Sequence, residues 1–307
     1  MKQTLIDQLP YALADASSLK LGTFYQGKLR DCFTVGDRRV LVVSDRISAF
    51  DRLLGVIPFK GEMLTQIAAF WFDRTKHAVP NHLISVPDPQ VMIAREAQVI
   101  PVEVIVRARL TGSLWRDYQT GAHTVYGVEI PSGMKQYQAF EKPILTPSTK
   151  AAYGEHDLPI SPKEIVARGI CTQQDWDDVA KKALTLFALG EEHARSRGLV
   201  LVDTKYEFGR AGGEIIAVDE IHTPDCSRYW YGDNLETPRM LDKEFLRSWL
   251  LERGFKGDGP APEIPAEVRA ELASRYLELF ELLTGAPLQI HPGAALERVA
   301  ANLKKAW

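Results

Sequence analysis

The sequence predicts a protein of mixed helix and strand, with antiparallel β-hairpins and separate helices in different stretches of the chain. Two pairs of segments carry that expectation. Residues 22–44 and 199–221 are strand-like runs folded about glycine-containing turns. Residues 175–197 and 266–284 instead read as long helices ended by Gly198 and Gly285.

In chain order, the first hairpin has FYQGKLRDCFTV as one strand, Gly36-Asp37 as its turn and RRVLVVS as the return. The following DRISAFDRLLGVIPFKG is loop-like, with charges, Gly55 and Pro58. Residues 62–73 place Leu64, Ile67, Ala68 and Trp71 at helical spacing. From Pro101 the segment PVEVIVRARL alternates, with Val102, Val104, Val106, Ala108 and Leu110 on the core side. A short helix is expected over 113–122, stopped by Gly121. Residues 124–163 form a long stretch rich in Pro, Gly, Ser and Thr, and such loops are usually functional. Residues 254–265 read as a Pro/Gly linker. In the helix over 266–284, Leu272, Tyr276, Leu279, Phe280 and Leu283 make an apolar stripe suited to packing on the main body. A last helix is expected over 294–306.

Composition bounds the function. The chain has 307 residues, 45% of them hydrophobic and 25% charged, which allows a sizeable core and points to two domains or one with an appendage. A net charge of -3 argues against a nucleic-acid partner. No apolar run approaches a membrane span, and Asp7 and Pro10 interrupt the N-terminal stretch where a signal peptide would be apolar. The three scattered cysteines, Cys32, Cys171 and Cys226, suit a reducing, cytoplasmic compartment and make no zinc motif.

Three segments carry chemistry. The first contains a decoy: Gly22 to Lys28 fits the spacing of a P-loop, but Leu29 stands where a hydroxyl should bind magnesium, and the segment continues into a hairpin rather than a helix. The expectation is instead a basic strand with Lys28 and Arg30 on one face, two cations able to hold phosphate oxygens. In the second segment, Asp203, Lys205 and Glu207 alternate along one strand face. A loop over 209–213 would set Asp203 opposite Asp219 and turn Glu220 to the other face. Carboxylates around a lysine suit magnesium carrying a polyphosphate, and a salt-bridge ladder is the plainer alternative. Thr223 to Arg228 follows as a second polar cluster in which the arginine suits an anion grip. The third segment is Arg107 and Arg109 followed by Leu110 to Ser113, an arrangement of cations and a helix start that suits an anion.

Together the blocks GKLRD (27–31), SDRISAFD (44–51), RARLTGSLW (107–115), TPSTKAAYGEHD (146–157), DTKYEFG (203–209) and DEIHTPDCSRYW (219–230) closely resemble the SAICAR synthetase family, in order, from about residue 20 to 235. The resemblance implies an α+β fold related to ATP-grasp and kinase folds. Its parts would be a β-rich nucleotide lobe over 1–115, a central lobe with the metal and substrate site over 116–238, and a helical extension over 239–307. It implies ATP-dependent ligation of L-aspartate to the carboxylate of carboxyaminoimidazole ribonucleotide, in purine synthesis. ATP and Mg2+ would be the cofactors. The partners would be small molecules only, with no nucleic acid and no membrane.

Residue by residue, the resemblance puts Lys28, Arg30, Glu207 and Asp219 on ATP, with Glu207 and Asp219 on the metal. Arg107, Ser113, Arg228, Lys150, Asp45 and Ser48 would bind substrate. The block Ser148 to Lys150 with Glu155 to Asp157 would position aspartate. Lys205 would neutralise charge at the reacting centre, and Asp203 is the candidate base for the attacking amine. A small-molecule kinase would share Lys28, Glu207 and Asp219 but would not need the Arg107, Ser113 and Arg228 set.

Overall fold

In a computed structural model that describes residues 2–50, 52–150, 157–232 and 234–306, the described residues form two large antiparallel sheets and two small hairpins, with helices packed around them. The first sheet has the order β1-β2-β3-β7-β6. Its strands are β1 (Thr23–Gln26), β2 (Arg30–Val35), β3 (Arg38–Val43), β6 (Leu83–Asp88) and β7 (Val91–Arg95). The small hairpin of β4 (Arg46–Ala49) and β5 (Arg52–Val56) follows β3, so the stretch expected as a loop is paired.

The 22–44 hairpin is also subdivided. The chain turns at Gly27 to Leu29, where the Gly27 amide donates to the Arg30 carbonyl at 2.8 Å, and β1 pairs back on β2. Lys28 is therefore in a tight turn and not on a strand face with Arg30. The one-strand expectation failed because the turn contains a single glycine and no Asn-Gly or Asp-Gly pair to announce it.

The central sheet is built on β14 (Leu199–Ala211), a strand of 13 residues. β9 (Val102–Arg109) lies along one part of it, with β12 (Ala139–Leu145) and the two-residue β13 (Ser148–Thr149) beyond β9. β15 (Glu214–Val218), β16 (Ser227–Tyr231) and the short β8 (Gln98–Val99) pair with β14 as well. The stretch over 124–163 thus holds β12 and β13, and also a hairpin of β10 (Thr124–Val125) and β11 (Val128–Glu129). It is far from structureless among its described residues.

The β14–β15 register differs from the expected one. Only Gly212 and Gly213 form the turn, so Ala211 faces Glu214 and Glu207 faces Val218. Both glycines have positive φ, 59° and 84°, which the tight turn requires. Asp219 lies beyond the last ladder pair and is left-handed at φ 67°. Strand alternation therefore does not set its direction.

The helices are α1 (Lys2–Gln8), α2 (Lys60–Thr75), α3 (Gly112–Gln119), α4 (Pro162–Ala167), α5 (Gln173–Ser196), α6 (Glu244–Leu251), α7 (Ala266–Thr284) and α8 (Ala295–Ala306). α5 opens with a capping box between Thr172 and Asp175 and packs on β14. α7 packs on α1, α2 and α6, and its predicted stripe of Leu272, Tyr276, Leu279, Phe280 and Leu283 is buried. α8 lies on β6, where Arg298 bonds Asp88, Gln90 and Glu62. One core cluster runs from Leu5 through Trp71, Tyr206 and Leu272 to Leu283. Among the described residues, no helix is long and apolar enough to cross a membrane.

Candidate active site

Two adjoining cavities open where the sheets meet, and Lys205 and Asp225 line both. The first, about 300 Å3, lies between the β1–β2 turn and the β14–β15 hairpin. Tyr25, Leu41, Ala97, Val99 and Val218 contribute apolar walls, and Lys28, Arg30, Lys150, Lys205, Glu207 and Asp219 contribute charge. A flat base with a polyphosphate tail matches that division into apolar and cationic surface.

The turn bearing Lys28 is held from below. Arg46 of β4 donates to the carbonyls of Gly27 and Lys28, each at 3.0 Å, and is anchored by Asp31 at 2.9 Å. Ser44 adds a bond to the Leu29 carbonyl at 2.7 Å. Arg30 leaves the turn and spans the cavity floor, meeting Asp219 at 2.9 Å and Glu220 at 2.7 Å. Burial opposes its charge, but the two carboxylates outweigh that and raise its pKa. Asp219 and Glu220 thus converge on one guanidinium, contrary to the expectation that they point to opposite faces. The left-handed turn at Asp219 breaks the alternation on which that expectation stood.

Lys205 donates to Glu103 and to Glu207, both at 2.6 Å, and Lys150 pairs with Glu207 from the other side. Burial would raise the Glu207 pKa, yet the two lysines pull it down to about 2. For Asp219 burial wins, helped by Glu207 and Glu220, and its carboxyl is pushed up to about 6. His82 lines the same cavity, and burial holds its imidazole neutral, with the pKa lowered to about 3.

The second cavity, about 190 Å3, is lined by Arg107, Ser113, Asp203, Arg228, Asp242, Lys243 and Arg247 among others. Its centre follows from strand pairing. Asp203 of β14 stands beside Arg107 of β9 on one side and Arg228 of β16 on the other, so the three side chains share a row. Arg107 bonds Asp203 at 3.2 Å, Thr146 at 2.8 Å and Ser113 at 3.3 Å, and Arg228 pairs with the same Asp203 oxygen. Gly112 makes room for Arg228: a Cβ there would lie 2.6 Å from its Nη2, and the glycine has φ 62°.

These contacts correct three expectations. Asp203 is a clamp between two guanidinium groups and not the free base expected for an amine. Asp45 lines neither cavity: its buried carboxylate accepts from the amides of Leu13 and Gly61, each at 2.7 Å. Arg109 turns away to the Tyr137 carbonyl at 2.9 Å. Ser48 and Lys150 line the first cavity rather than the second. Of the block 146–157, Glu155 and His156 lie outside the described residues, and Asp157 lines the first cavity.

The family model of SAICAR synthetase matches residues 23–262. A phosphoribosylaminoimidazole-succinocarboxamide synthase of Legionella pneumophila (strain Paris) is 45% identical over 313 residues, covering 97% of this chain and 99% of that protein. The chain belongs to the SAICAR synthetase family. A relative of the same name from Bacteroides fragilis (strain YCH46) is 47% identical over 272 residues, covering 85% of this chain and 87% of its own length. Among solved structures, the SAICAR synthase of Saccharomyces cerevisiae complexed with SAICAR superposes with a TM-score of 0.81 at 31% identity, over 91% of this chain and all of that one. A SAICAR synthetase in complex with ADP shares the fold at a TM-score of 0.69 and 23% identity, over 87% of this chain and all of that one.

Several residues of this family member's site escaped sequence reasoning. Lys60 is wholly buried at the start of α2, with its Nζ 2.7 Å from Asp225. Lys243 approaches the same carboxylate at 3.6 Å, and Tyr276 of α7 donates to it at 2.8 Å. Burial favours a neutral Asp225, but Lys243 and Lys60 hold its pKa well below the usual carboxylate range. Arg247 of α6 lines the second cavity. No motif announced these groups, and only Tyr276 carried a signal, as a polar-tipped ring inside the apolar stripe of α7. The C-terminal extension therefore reaches the site as well as packing on the body.

Proposed function

We propose that this chain joins L-aspartate to the carboxylate of 5-amino-1-(5-phospho-D-ribosyl)imidazole-4-carboxylate, converting ATP to ADP and phosphate and yielding SAICAR for purine synthesis. The observation that carries the reading is the pair of cavities meeting at Lys205 and Asp225. One is shaped for a base with a polyphosphate. The other is lined by Arg107, Ser113, Arg228, Lys243 and Arg247, and suits a second, phosphate-bearing substrate. A carboxylate is a poor electrophile until one oxygen becomes a leaving group, so phosphoryl transfer must occur across the junction. The amine of aspartate then displaces the phosphate.

Placement in the two cavities supports the following roles. Lys28 and Arg30 meet ATP phosphates, with Lys28 carried on the tethered Gly27–Leu29 turn that lines the first cavity. Lys205 sits at the junction and offsets charge on the transferred group. Arg107, Ser113 and Arg228 hold the nucleotide substrate, already aligned by Asp203. Lys150, Ser48 and Asp157 stand at the nucleotide side, where Lys150 can leave Glu207 for a phosphate oxygen or a carboxylate of aspartate.

Glu207 and Asp219 are the proposed magnesium ligands. Their fit lies in the donor set: both carboxylates line the first cavity, and the Asp219 carboxyl is raised chiefly by burial, with Glu207 and Glu220 adding to it against Arg30. Among the described residues no cluster of three or more metal-binding side chains converges. Two carboxylates suit magnesium, which keeps positions for phosphate oxygens and water. The ion would neutralise charge on the transferred phosphoryl group.

We also propose that the nucleotide lobe ends near residue 96 rather than 115, since β8 and β9 both pair with β14. The central lobe then runs to about 238, and the extension over 239–307 supplies walls of the second cavity. The cytoplasm is the proposed compartment, in keeping with three cysteines that form no disulfide. The test is ADP release with each of the three substrates omitted in turn. Release should require aspartate and the carboxylated nucleotide together; turnover on a hydroxyl acceptor without aspartate would point to a kinase instead.

A further inference from the structure

We propose that Tyr206 and His222 form a positioning pair that fixes Asp219 relative to Glu207, and so sets the geometry of the magnesium–nucleotide end of the first cavity. The inference rests on the assignment of those two carboxylates made above. Neither Tyr206 nor His222 lines either cavity, and both are fully buried.

The need for such a device is visible in the backbone. β15 ends at Val218, the last residue paired with β14, where it faces Glu207. Asp219 and His222 then take left-handed conformations, at φ 67° and 58°. Such conformations are unfavourable for residues with a Cβ and persist only where surroundings over-determine them. No ladder bond ties Asp219 to the strand that carries Glu207; Arg30 holds its carboxylate from the β2 side, and a second contact is needed to fix its backbone relative to β14.

His222 supplies it from behind. Its Nε2 shares a hydrogen bond of 2.6 Å with the Tyr206 hydroxyl, and its carbonyl accepts from the Tyr229 hydroxyl at 3.0 Å. Its ring lies against Trp71, with centroids 4.4 Å apart. α5 is cut away for it at Gly190, where a Cβ would come within 2.0 Å of the imidazole. Strand, helix and tyrosine thus converge on one side chain. Tyr206 sits between Lys205 and Glu207 in β14, and its side chain points to the opposite face. A short rigid path therefore runs from Glu207 through the backbone to Tyr206, across the hydrogen bond to His222, and back three residues to Asp219.

The decisive variant is Tyr206→Phe, which keeps the ring and its packing and removes only the hydroxyl. Binding of magnesium–ADP and, separately, of the carboxylated aminoimidazole ribonucleotide is measured by titration calorimetry. Magnesium–ADP should bind about fivefold more weakly, the scale of one hydrogen bond, while the second ligand binds as before. His222→Gln should show the same selective loss. Equal weakening of both ligands would mean a general structural role and would overturn the proposal, as would unchanged magnesium–ADP affinity. Asp219→Asn, run alongside, separates the two levels. If it abolishes magnesium–ADP binding while Tyr206→Phe leaves it intact, the positioning pair alone is wrong. If Asp219→Asn itself binds magnesium–ADP normally, the carboxylate assignment falls and the pair falls with it.

Discussion

The two cavities hold their charges in different ways. In the second, Asp203 lies between Arg107 and Arg228 in one cross-strand row, and all three are fixed before any ligand arrives. In the first, the cations stand on the carboxylates proposed to bind magnesium: Arg30 on Asp219, Lys150 and Lys205 on Glu207. A metal there has to replace those pairings, and the released cations are then free for phosphate oxygens. One site is preset and the other exchanges partners. An anion that only needs to be gripped suits the first arrangement, whereas a charge that moves during reaction suits the second.

Breaking the exchanging site should have the largest effect. Asp219→Asn should lower kcat by about a hundredfold or more, about 3 kcal/mol on the barrier, with the fold retained by circular dichroism. Glu220→Gln should lose less, because Arg30 still holds Asp219. A rate series against magnesium concentration compares them, and a greater magnesium dependence in Glu220→Gln would transfer the metal role to Glu220.

Breaking the preset site should appear first as lost stability. Asp203→Asn leaves the buried Arg107 and the half-buried Arg228 without their shared carboxylate and should destabilise the protein by about 3 kcal/mol, measured by urea unfolding. The KM for the carboxylated nucleotide should rise and that for ATP should not. Arg228→Ala should be milder, weakening the carboxylated nucleotide by roughly tenfold, within the range for a lost charge-assisted bond. A loss of ATP affinity instead would reverse the assignment of the two cavities.

The smallest effects belong to groups outside that comparison. Tyr276→Phe removes one bond to Asp225 and should cost about 1 kcal/mol of stability, read as a small fall in thermal midpoint. Asp45→Asn should leave the KM for the carboxylated nucleotide unchanged. Burial pushes the Asp45 carboxyl up to about 6, even though backbone donors from Gly61 and Leu13 oppose it. A raised folded pKa favours the folded state at low pH, and that advantage is lost as pH rises through 6. The stability of the parent relative to Asp45→Asn should therefore shrink between pH 4 and 7, which unfolding at a series of pH values checks.

Much of this site was legible because its chemistry is written in local patterns. The alternation of Asp203, Lys205 and Glu207 put Lys205 beside Glu207, as the 2.6 Å bond between them shows. The apolar alternation of β9 and the stripe of α7 described the buried faces correctly. Lys28 reads as a strand residue because a one-glycine turn resembles strand sequence. Asp45 reads as a site residue because a motif block marks residues that matter without saying whether they hold ligand or backbone.

The sequence by itself determined the residue chemistry, the helices with apolar stripes and caps, and the family. Each depends on residue type or on a repeat of two or 3.6 residues, and these are local properties of the chain. Only the tertiary structure decided the β14–β15 register, the joint grip of Arg30 on Asp219 and Glu220, the three-strand row through Asp203, and the reach of Lys60, Lys243 and Tyr276 to Asp225. Those depend on which distant segments pack together and on backbone turns that break periodicity. A register shift of one residue reverses every face, so side-chain direction is settled only once the partners are in place.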